Sequence, residues 1–214
     1  MTDPTTRWWL VRHAPVAAGG RIYGQQDLPA DTDDHAAARA VARRLPAGAR
    51  WLVTPLQRTT QTAEALAAHM AETVDPAVER DLVEQHFGLW QGRDPQELMR
   101  HDGETWRLFW AAPGERRPPG GESFADVVDR VRHALDRHGA NGAGSDIVAV
   151  VHGGTVRAAL AVALGLSPAL ALAFVVDTWA LTRLDHIPGG GIDGGASWRI
   201  VTVNERAATG NAHR

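Results

Sequence analysis

Asp146-Ile147-Val148-Ala149-Val150-Val151-His152-Gly153-Gly154-Thr155-Val156-Arg157 is the stretch on which the fold turns. Its apolar run leaves no polar face, which suits a strand buried on both sides in a parallel sheet. The Ala-, Val- and Leu-rich run from Gly153 to Leu164 then reads as a helix. A strand feeding straight into a helix is the repeating unit of an α/β protein.

The same unit opens the chain. Arg7 to His13 (RWWLVRH) is a short apolar run ending in two polar residues, a buried strand whose carboxyl end opens onto a site. Ala36 to Leu45 has apolar positions at helical spacing, and Trp51 to Thr54 is another strand. Pro55 starts a helix through about Met70. The alternation predicts an α/β three-layer sandwich, with a mostly parallel central sheet and helices on both faces. From roughly Arg80 to Arg137 the pattern is least regular. Helical pieces at Pro95 to His101 and Glu104 to Trp110 precede the turn-rich stretch Pro113 to Gly121, and a longer helix starts at Ser123. Residues 91–122 are read as a helical and loop insertion covering the site, within one domain spanning 1–214. After Gly165 come a short helix at Pro168, an apolar strand from about Phe174 to Leu184, a glycine hairpin and a last strand from Ser197 to Val203. The polar tail after Asn204 is expected to fray. No internal repeat is visible.

Composition removes several chemistries. Among 214 residues there is no cysteine, which excludes disulfides, thiolate zinc sites, iron–sulfur clusters and cysteine nucleophiles. There is no lysine either, so the 22 basic residues are all arginine, and neither Schiff-base chemistry nor a Walker-type phosphate lysine is available. A net charge of −3 without a basic run argues against a nucleic-acid partner. The first apolar segment is too short for a signal-peptide core or a membrane span, so a cytoplasmic protein is expected. Eight tryptophans against one tyrosine is an unusual balance from which no function follows.

Four segments carry candidate chemistry. Arg12 and His13 end the first strand, where open α/β sheets place ligands, although an Arg-His pair there also suits a solvated strand end. Arg58 falls in the first turn of the helix after Pro55, beside unpaired N–H groups, where a cation calls for a compensating carboxylate or a bound phosphate. The other reading is a surface arginine. His152 follows the most apolar strand and precedes Gly153 and Gly154 at a helix start, where backbone N–H groups can approach a phosphoryl oxygen. The alternative is a core histidine satisfied by a carbonyl. Glu84, in Asp81-Leu82-Val83-Glu84-Gln85-His86-Phe87-Gly88, would alone be surface charge. Two histidines, two arginines and a glutamate at one sheet edge supply what phosphoryl transfer through a covalent intermediate requires.

Together these residues resemble the histidine phosphatase superfamily, also called phosphoglycerate mutase-like. Arg12-His13-Ala14 is similar to its Arg-His-Gly signature, and Thr54-Pro55-Leu56-Gln57-Arg58-Thr59-Thr60-Gln61-Thr62-Ala63 to its Ser-Pro-Leu-x-Arg-x-x-Gln-Thr-Ala stretch. Glu84 with Phe87-Gly88 and Trp90-Gln91-Gly92, then Gly120-Gly121-Glu122-Ser123, then His152-Gly153-Gly154 follow in the family's order. Ala14 replaces the usual glycine and Gln91 a common glutamate. The phosphate-contacting asparagine of true mutases has no counterpart in Val16-Ala17-Ala18-Gly19.

The resemblance implies a metal-independent phosphomonoesterase that needs no cofactor and acts on a small phosphorylated metabolite. His13 would be the nucleophile. Arg12, Arg58, His152 and the Gly153 N–H would surround the phosphoryl oxygens, and Glu84 would serve as acid and then base. Nearby arginines should lower the His13 pKa. The short middle segment and Gly19-Gly20-Arg21-Ile22-Tyr23-Gly24-Gln25-Gln26-Asp27 look most like the α-ribazole phosphatase branch. The alternatives are phosphoglycerate mutase-type phosphotransfer and a non-catalytic phospho-ligand binding module.

Arg93, Arg100, Arg107, Arg116 and Arg117 suggest an anionic or multiply phosphorylated ligand, or equally a solvated face. Gly189-x-Gly191-x-x-Gly194 matches a dinucleotide fingerprint by letter but leads into a strand, so a hairpin is expected. Ser123-x-x-Asp126 reads as a capping box. His86, His101, His133 and His138 lack metal-ligand spacing and read as surface or structural. An edge strand or exposed tryptophans would allow a homodimer.

Overall fold

The structure, a computed structural model, describes residues 4–141, 144–191 and 195–206. In chain order these form β1 (Thr6–Arg12), α1 (His35–Ala42), β2 (Arg50–Val53), α2 (Gln57–Ala67), β3 (Ala77–Val78), α3 (Pro95–His101), α4 (Gly103–Ala111), α5 (Phe124–Asn141), β4 (Asp146–Val151), α6 (Gly153–Leu164), α7 (Pro168–Ala171), β5 (Leu181–Ile187) and β6 (Ser197–Glu205). The strands make one mixed sheet in the order β3-β2-β4-β1-β5-β6. The first four run parallel, and β5 and β6 add an antiparallel edge.

The apolar run of β4 is explained by burial on both faces. Ile147, Ala149 and Val151 pack with Val127, Val131 and Leu135 of α5 and with Val156 and Leu160 of α6. Val148 and Val150 pack on the opposite face with Val41 of α1 and with Ala63 and Leu66 of α2. Each buried branched side chain contributes roughly 1.5–3 kcal/mol, so the central strand holds both layers of the sandwich together.

Local signals set most ends. Asp94 accepts from the N–H groups of Gln96 and Glu97 with Pro95 opening α3, and Ser167 with Pro168 does the same for α7. Ser123 and Asp126 bond reciprocally, the Ser123 N–H reaching Asp126 Oδ2 at 2.8 Å and the Asp126 N–H reaching Ser123 Oγ at 3.2 Å.

Two expected elements are shorter than their sequence pattern. The helix after β2 begins at Gln57, not Pro55, and ends at Ala67. Thr59 Oγ1 accepts from the Thr54 N–H and donates to the Leu56 carbonyl, holding Pro55 and Leu56 in a turn. The strand expected from Phe174 starts only at Leu181. The carbonyls of Phe174 and Val176 turn instead toward the side chains of Arg157 and Arg12, and Trp179 adopts a left-handed φ of 58° before the strand begins. At the β5–β6 turn the Gly190 N–H bonds to the Ile187 carbonyl, a hairpin in place of a helix start. Gly194, and the tail beyond residue 206, lie outside the described residues.

Candidate active site

Parallel pairing places Arg12 beside Val151, so the residues that follow β1 and β4 emerge side by side. The His13 N–H bonds to the Val151 carbonyl at 2.9 Å, and the rings of His13 and His152 meet edge-on with centroids 5.2 Å apart. Thr54, at the end of β2, adds a third strand end. The carboxyl ends of three adjacent parallel strands therefore converge, which is where open α/β sheets bind ligands.

Each imidazole has a defined tautomer. His13 Nδ1 lies 2.6 Å from the Ala14 carbonyl. A carbonyl only accepts, so Nδ1 carries the proton and Nε2 the lone pair. His152 is the reverse: Arg58 Nε donates to its Nδ1 at 3.3 Å, and its Nε2 donates to Thr54 Oγ1 at 2.9 Å. Burial, assisted by the positive charges of Arg58 and Arg12 and opposed by the bond to Ala14, pushes the His13 pKa down to about 3. Burial is thus the larger cause and the arginines the smaller. The same effects, with His13 itself, hold His152 well below the usual histidine range. Both rings are neutral near pH 7.

Arg58 is fully buried. It donates from Nη2 to the Gly24 carbonyl at 2.6 Å and from Nη1 to the Gln26 carbonyl at 2.8 Å, and it lies 5.1 Å over the Tyr23 ring. The compensation expected at this helix start comes from carbonyl oxygens, with the charges of Glu84 and Asp27 further off. Arg12 Nη1 donates to the Val176 carbonyl at 2.5 Å, while its buried Nε has no partner among the described residues. An unpartnered guanidinium donor in a dry site is costly, and an anion would satisfy it.

Glu84 reaches the start of α6. Its Oε2 accepts from the Gly154 N–H at 3.2 Å and its Oε1 from the Gln85 N–H at 2.9 Å. Position 154 has to be glycine for this approach, because a Cβ there would lie 2.2 Å from Glu84 Oε1. A Cβ at Gly153 would lie 3.5 Å from Arg12 Nε and 3.4 Å from Arg157 Nη1, which locates two guanidinium groups at the helix start. Arg12, His13, Arg58, Glu84, His152 and Gly153 are thus brought together. The exposed arginines Arg93, Arg100, Arg107, Arg116 and Arg117 point to water, and Arg117 pairs with Asp126. His138 is structural, tied to Glu79 at 2.7 Å and in contact with Arg50.

Further groups position these residues, and of them only Thr62 falls in a quoted motif. Arg130 donates to the carbonyls of Asp81, Val83 and Glu84 and to both oxygens of Glu122, clamping the segment that carries Glu84. Its signal in the sequence is an arginine three residues after Val127 on the apolar stripe of a helix. Thr62 Oγ1 accepts from the Ala14 N–H and donates to the Arg58 carbonyl, linking the segment after β1 to α2. Arg157 stands four residues after Gly153, and helical side chains lean toward the N-terminus. Its Nε donates to the Phe174 carbonyl at 2.8 Å, and burial lowers its pKa against the opposing pull of Glu84. A cavity of about 420 Å³ opens beside Glu84, Gly154 and Arg157. Among the described residues no helix is long and apolar enough to cross a membrane.

The profile of the histidine phosphatase superfamily (branch 1) matches residues 8–201. The glucosyl-3-phosphoglycerate phosphatase of Mycolicibacterium vanbaalenii is 31% identical over 232 residues, covering 94% of this chain and 96% of that protein. The solved mycobacterial glucosyl-3-phosphoglycerate phosphatase superposes with a TM-score of 0.79 at 27% identity, covering 94% of this chain and 99% of the other. An α-ribazole-5'-P phosphatase structure from Escherichia coli shares the fold, with a TM-score of 0.78 at 22% identity over 94% of this chain and 98% of its own. Mycobacterial relatives matched at 35% identity over 148 residues are longer proteins, and the chain spans 39% of their length.

Proposed function

The chain belongs to the histidine phosphatase superfamily, and on that premise we propose that it is a metal-independent phosphomonoesterase working through a phosphohistidine. The observation that carries this is His13: a buried, neutral imidazole with its lone pair on Nε2, within reach of the positive charges of Arg58 and Arg12. In the first step Nε2 attacks phosphorus, the P–O bond to the alcohol breaks, and the Glu84 carboxyl protonates the departing oxygen. In the second, water gives its proton to the Glu84 carboxylate and attacks phosphorus. The P–N bond breaks, restoring neutral His13 and releasing inorganic phosphate. Arg12, Arg58 and the Gly153 N–H stabilise the equatorial oxygens, so fixed guanidinium charge supplies what a metal would otherwise provide. His152 holds Arg58 through Nδ1 and packs edge-on against His13. The segment 91–122 is the cover of this site, and the enzyme is cytoplasmic, acting on a small phosphorylated metabolite.

The test is phosphate release from a panel of phosphomonoesters in EDTA, comparing the native protein with His13→Ala and including 3-phosphoglycerate with a trace of its bisphosphate. Release should persist in EDTA and fall about 10⁴-fold or more in the variant, and the native enzyme should trap an acid-labile phosphoryl group. Full turnover by His13→Ala would overturn the reading. Isomerisation of 3-phosphoglycerate without net release would replace it with a mutase.

A further inference from the structure

The cavity beside Glu84 has walls that the chemistry does not require. Tyr23, Phe87, Trp106, Phe109, Trp110 and Phe124 line it, and all of these rings except Phe87 come from outside the motifs that carry the reaction. The rings are propped on one another. Trp106 and Trp110 meet at 5.5 Å, Phe109 and Trp110 at 5.2 Å, and buried Trp90 backs Trp106 at 5.3 Å and Phe109 at 5.1 Å. Aromatic pairs in such tilted and edge-to-face contacts are mutually stabilising and present fixed surfaces. Trp110 remains half exposed although two rings hold it. Packing in the small cluster of Trp90, Leu98 and Phe109 accounts for the buried members, but not for the faces of Trp106 and Trp110 turned to the cavity.

Polar groups on these walls are few. Apart from Glu84 and Arg157 at the reacting end, the polar side-chain groups are Arg21, Gln85, the Tyr23 hydroxyl and the indole N–H groups of Trp106 and Trp110. Gln85 Nε2 is used on the Glu122 carbonyl and Arg21 Nη1 on the Gly92 carbonyl, and the rest of the exposed Arg21 guanidinium stands at the rim, away from the buried ring faces. The hydroxyls of a sugar set against the ring faces would find few partners there.

Resting on the phosphatase reading, we infer that the alcohol half of the substrate is a flat, apolar group, an aromatic ring system esterified to phosphate. Such a ring lies against Trp106 and Trp110 while its phosphoryl group reaches His13 past Glu84. It makes the cavity a selectivity element distinct from the general phosphate site.

The test compares three phosphate esters of primary alcohols, so that leaving-group acidity is nearly matched: 2-naphthylmethyl phosphate, glycerol 3-phosphate and glucose 6-phosphate. The naphthylmethyl ester should have kcat/KM at least about tenfold above both others, since even one methylene in an apolar pocket is worth roughly 10-fold or more. In Trp106→Ala and Trp110→Ala that ratio should fall severalfold through KM. Equal kcat/KM for all three, or preference for glucose 6-phosphate, would overturn the inference and leave the phosphatase reading standing. Release from none of them, nor from the wider panel, would overturn the phosphatase reading. The cavity is then still decided by binding: tryptophan fluorescence should show 2-naphthylmethylphosphonate at least about tenfold tighter than methylphosphonate, and equal affinity would overturn the inference.

Discussion

The strand-end site and the aromatic wall are built by opposite means. At the strand ends, position is set by polar saturation. Arg58 has carbonyl and imidazole partners on three of its nitrogens, and the Glu84 carboxylate and the Glu84 carbonyl are each held by two donors. Along α4, position is set by rings packed on one another and on Trp90. The first arrangement fixes reacting groups to fractions of an ångström, which proton and phosphoryl transfer need. The second tolerates exchange of side chains, which suits a surface that selects among alcohols. Substitutions near the strand ends should therefore lower kcat for every ester, and those in the wall should alter the ranking of esters.

The sharpest way to break that division is Glu84→Gln, which keeps the shape and removes the exchangeable proton. Steady-state turnover of alkyl phosphates should fall about 10²–10⁴-fold. With 4-nitrophenyl phosphate, whose leaving group needs no acid, one equivalent of nitrophenol should appear in a burst and then stall, because in the proposed mechanism Glu84 is also the base for the water step. An undiminished steady-state rate would remove Glu84 from the mechanism. Gly154→Ala probes the same group from the other side. The new Cβ would sit 2.2 Å from Glu84 Oε1, so the carboxylate must move, and a displacement of about 1 Å costs on the order of 10²-fold in rate. Rate should drop with KM little changed. A native rate in this variant would mean that Glu84 finds its working position without the α6 N-terminus.

Much of the first arrangement was legible in the sequence and little of the second. The β4 run Ile147–Val151 could only be a strand buried on both faces, and the reach of α6 to Leu164 followed from composition alone. Arg12, Arg58 and His152 stand out as cations and imidazoles where strands give way to loops and helices, and Glu84 stands out only in their company. The clamp by Arg130 was less visible. Its reach to three carbonyls of the 81–84 segment depends on how that segment folds back on α5, which no spacing in the sequence encodes. Phe174 to Ala180 misled for a related reason: their apolar side chains suggest a strand, but Arg12 and Arg157 capture their carbonyls. The aromatic wall was missed because Trp106, Phe109 and Trp110 read equally well as the core of a short helix, and only tertiary packing shows which faces turn to the cavity. The arginines of the same segment drew attention as charges, while the structure leaves them in water.

Acid sensitivity sharpens the comparison by assigning it to one region. The His13 pKa is about 3 in the folded protein and near 6.5 in the unfolded chain. Between those values the unfolded chain binds a proton that the folded protein does not, so stability is lost as pH falls from about 6.5 toward 3. At pH 5 the loss from this group is about 2 kcal/mol, from roughly 1.4 kcal/mol per pH unit. His152 adds in the same direction. The paired carboxyls Glu79 and Asp126, whose pKa values are held below the ordinary carboxylate range, contribute only at lower pH, which leaves pH 5 to 7 to the histidines. Urea midpoints should fall from pH 7 to pH 5, and by clearly less in His13→Asn. Equal falls in both proteins would mean that His13 is not buried as a neutral ring.

The smallest effect belongs to the charges on the outer face of the cover. Arg100, Arg107 and Arg116 are exposed and do not line the cavity. Exposed charges more than a Debye length from a site, about 8–10 Å in ordinary buffer, are largely screened. Replacing each by serine should shift stability by no more than about 0.5 kcal/mol and change kcat/KM for a singly phosphorylated ester by less than about twofold in 0.15 M salt. The contrast with Trp106 is direct, since Arg107 follows it on α4 and is exposed where Trp106 lines the cavity. A severalfold rise in KM for the arginine variants, growing as salt is removed, would show that the cover recruits anionic ligands electrostatically. Selectivity would then be divided between charge outside and rings inside, and the wall would no longer suffice to explain it.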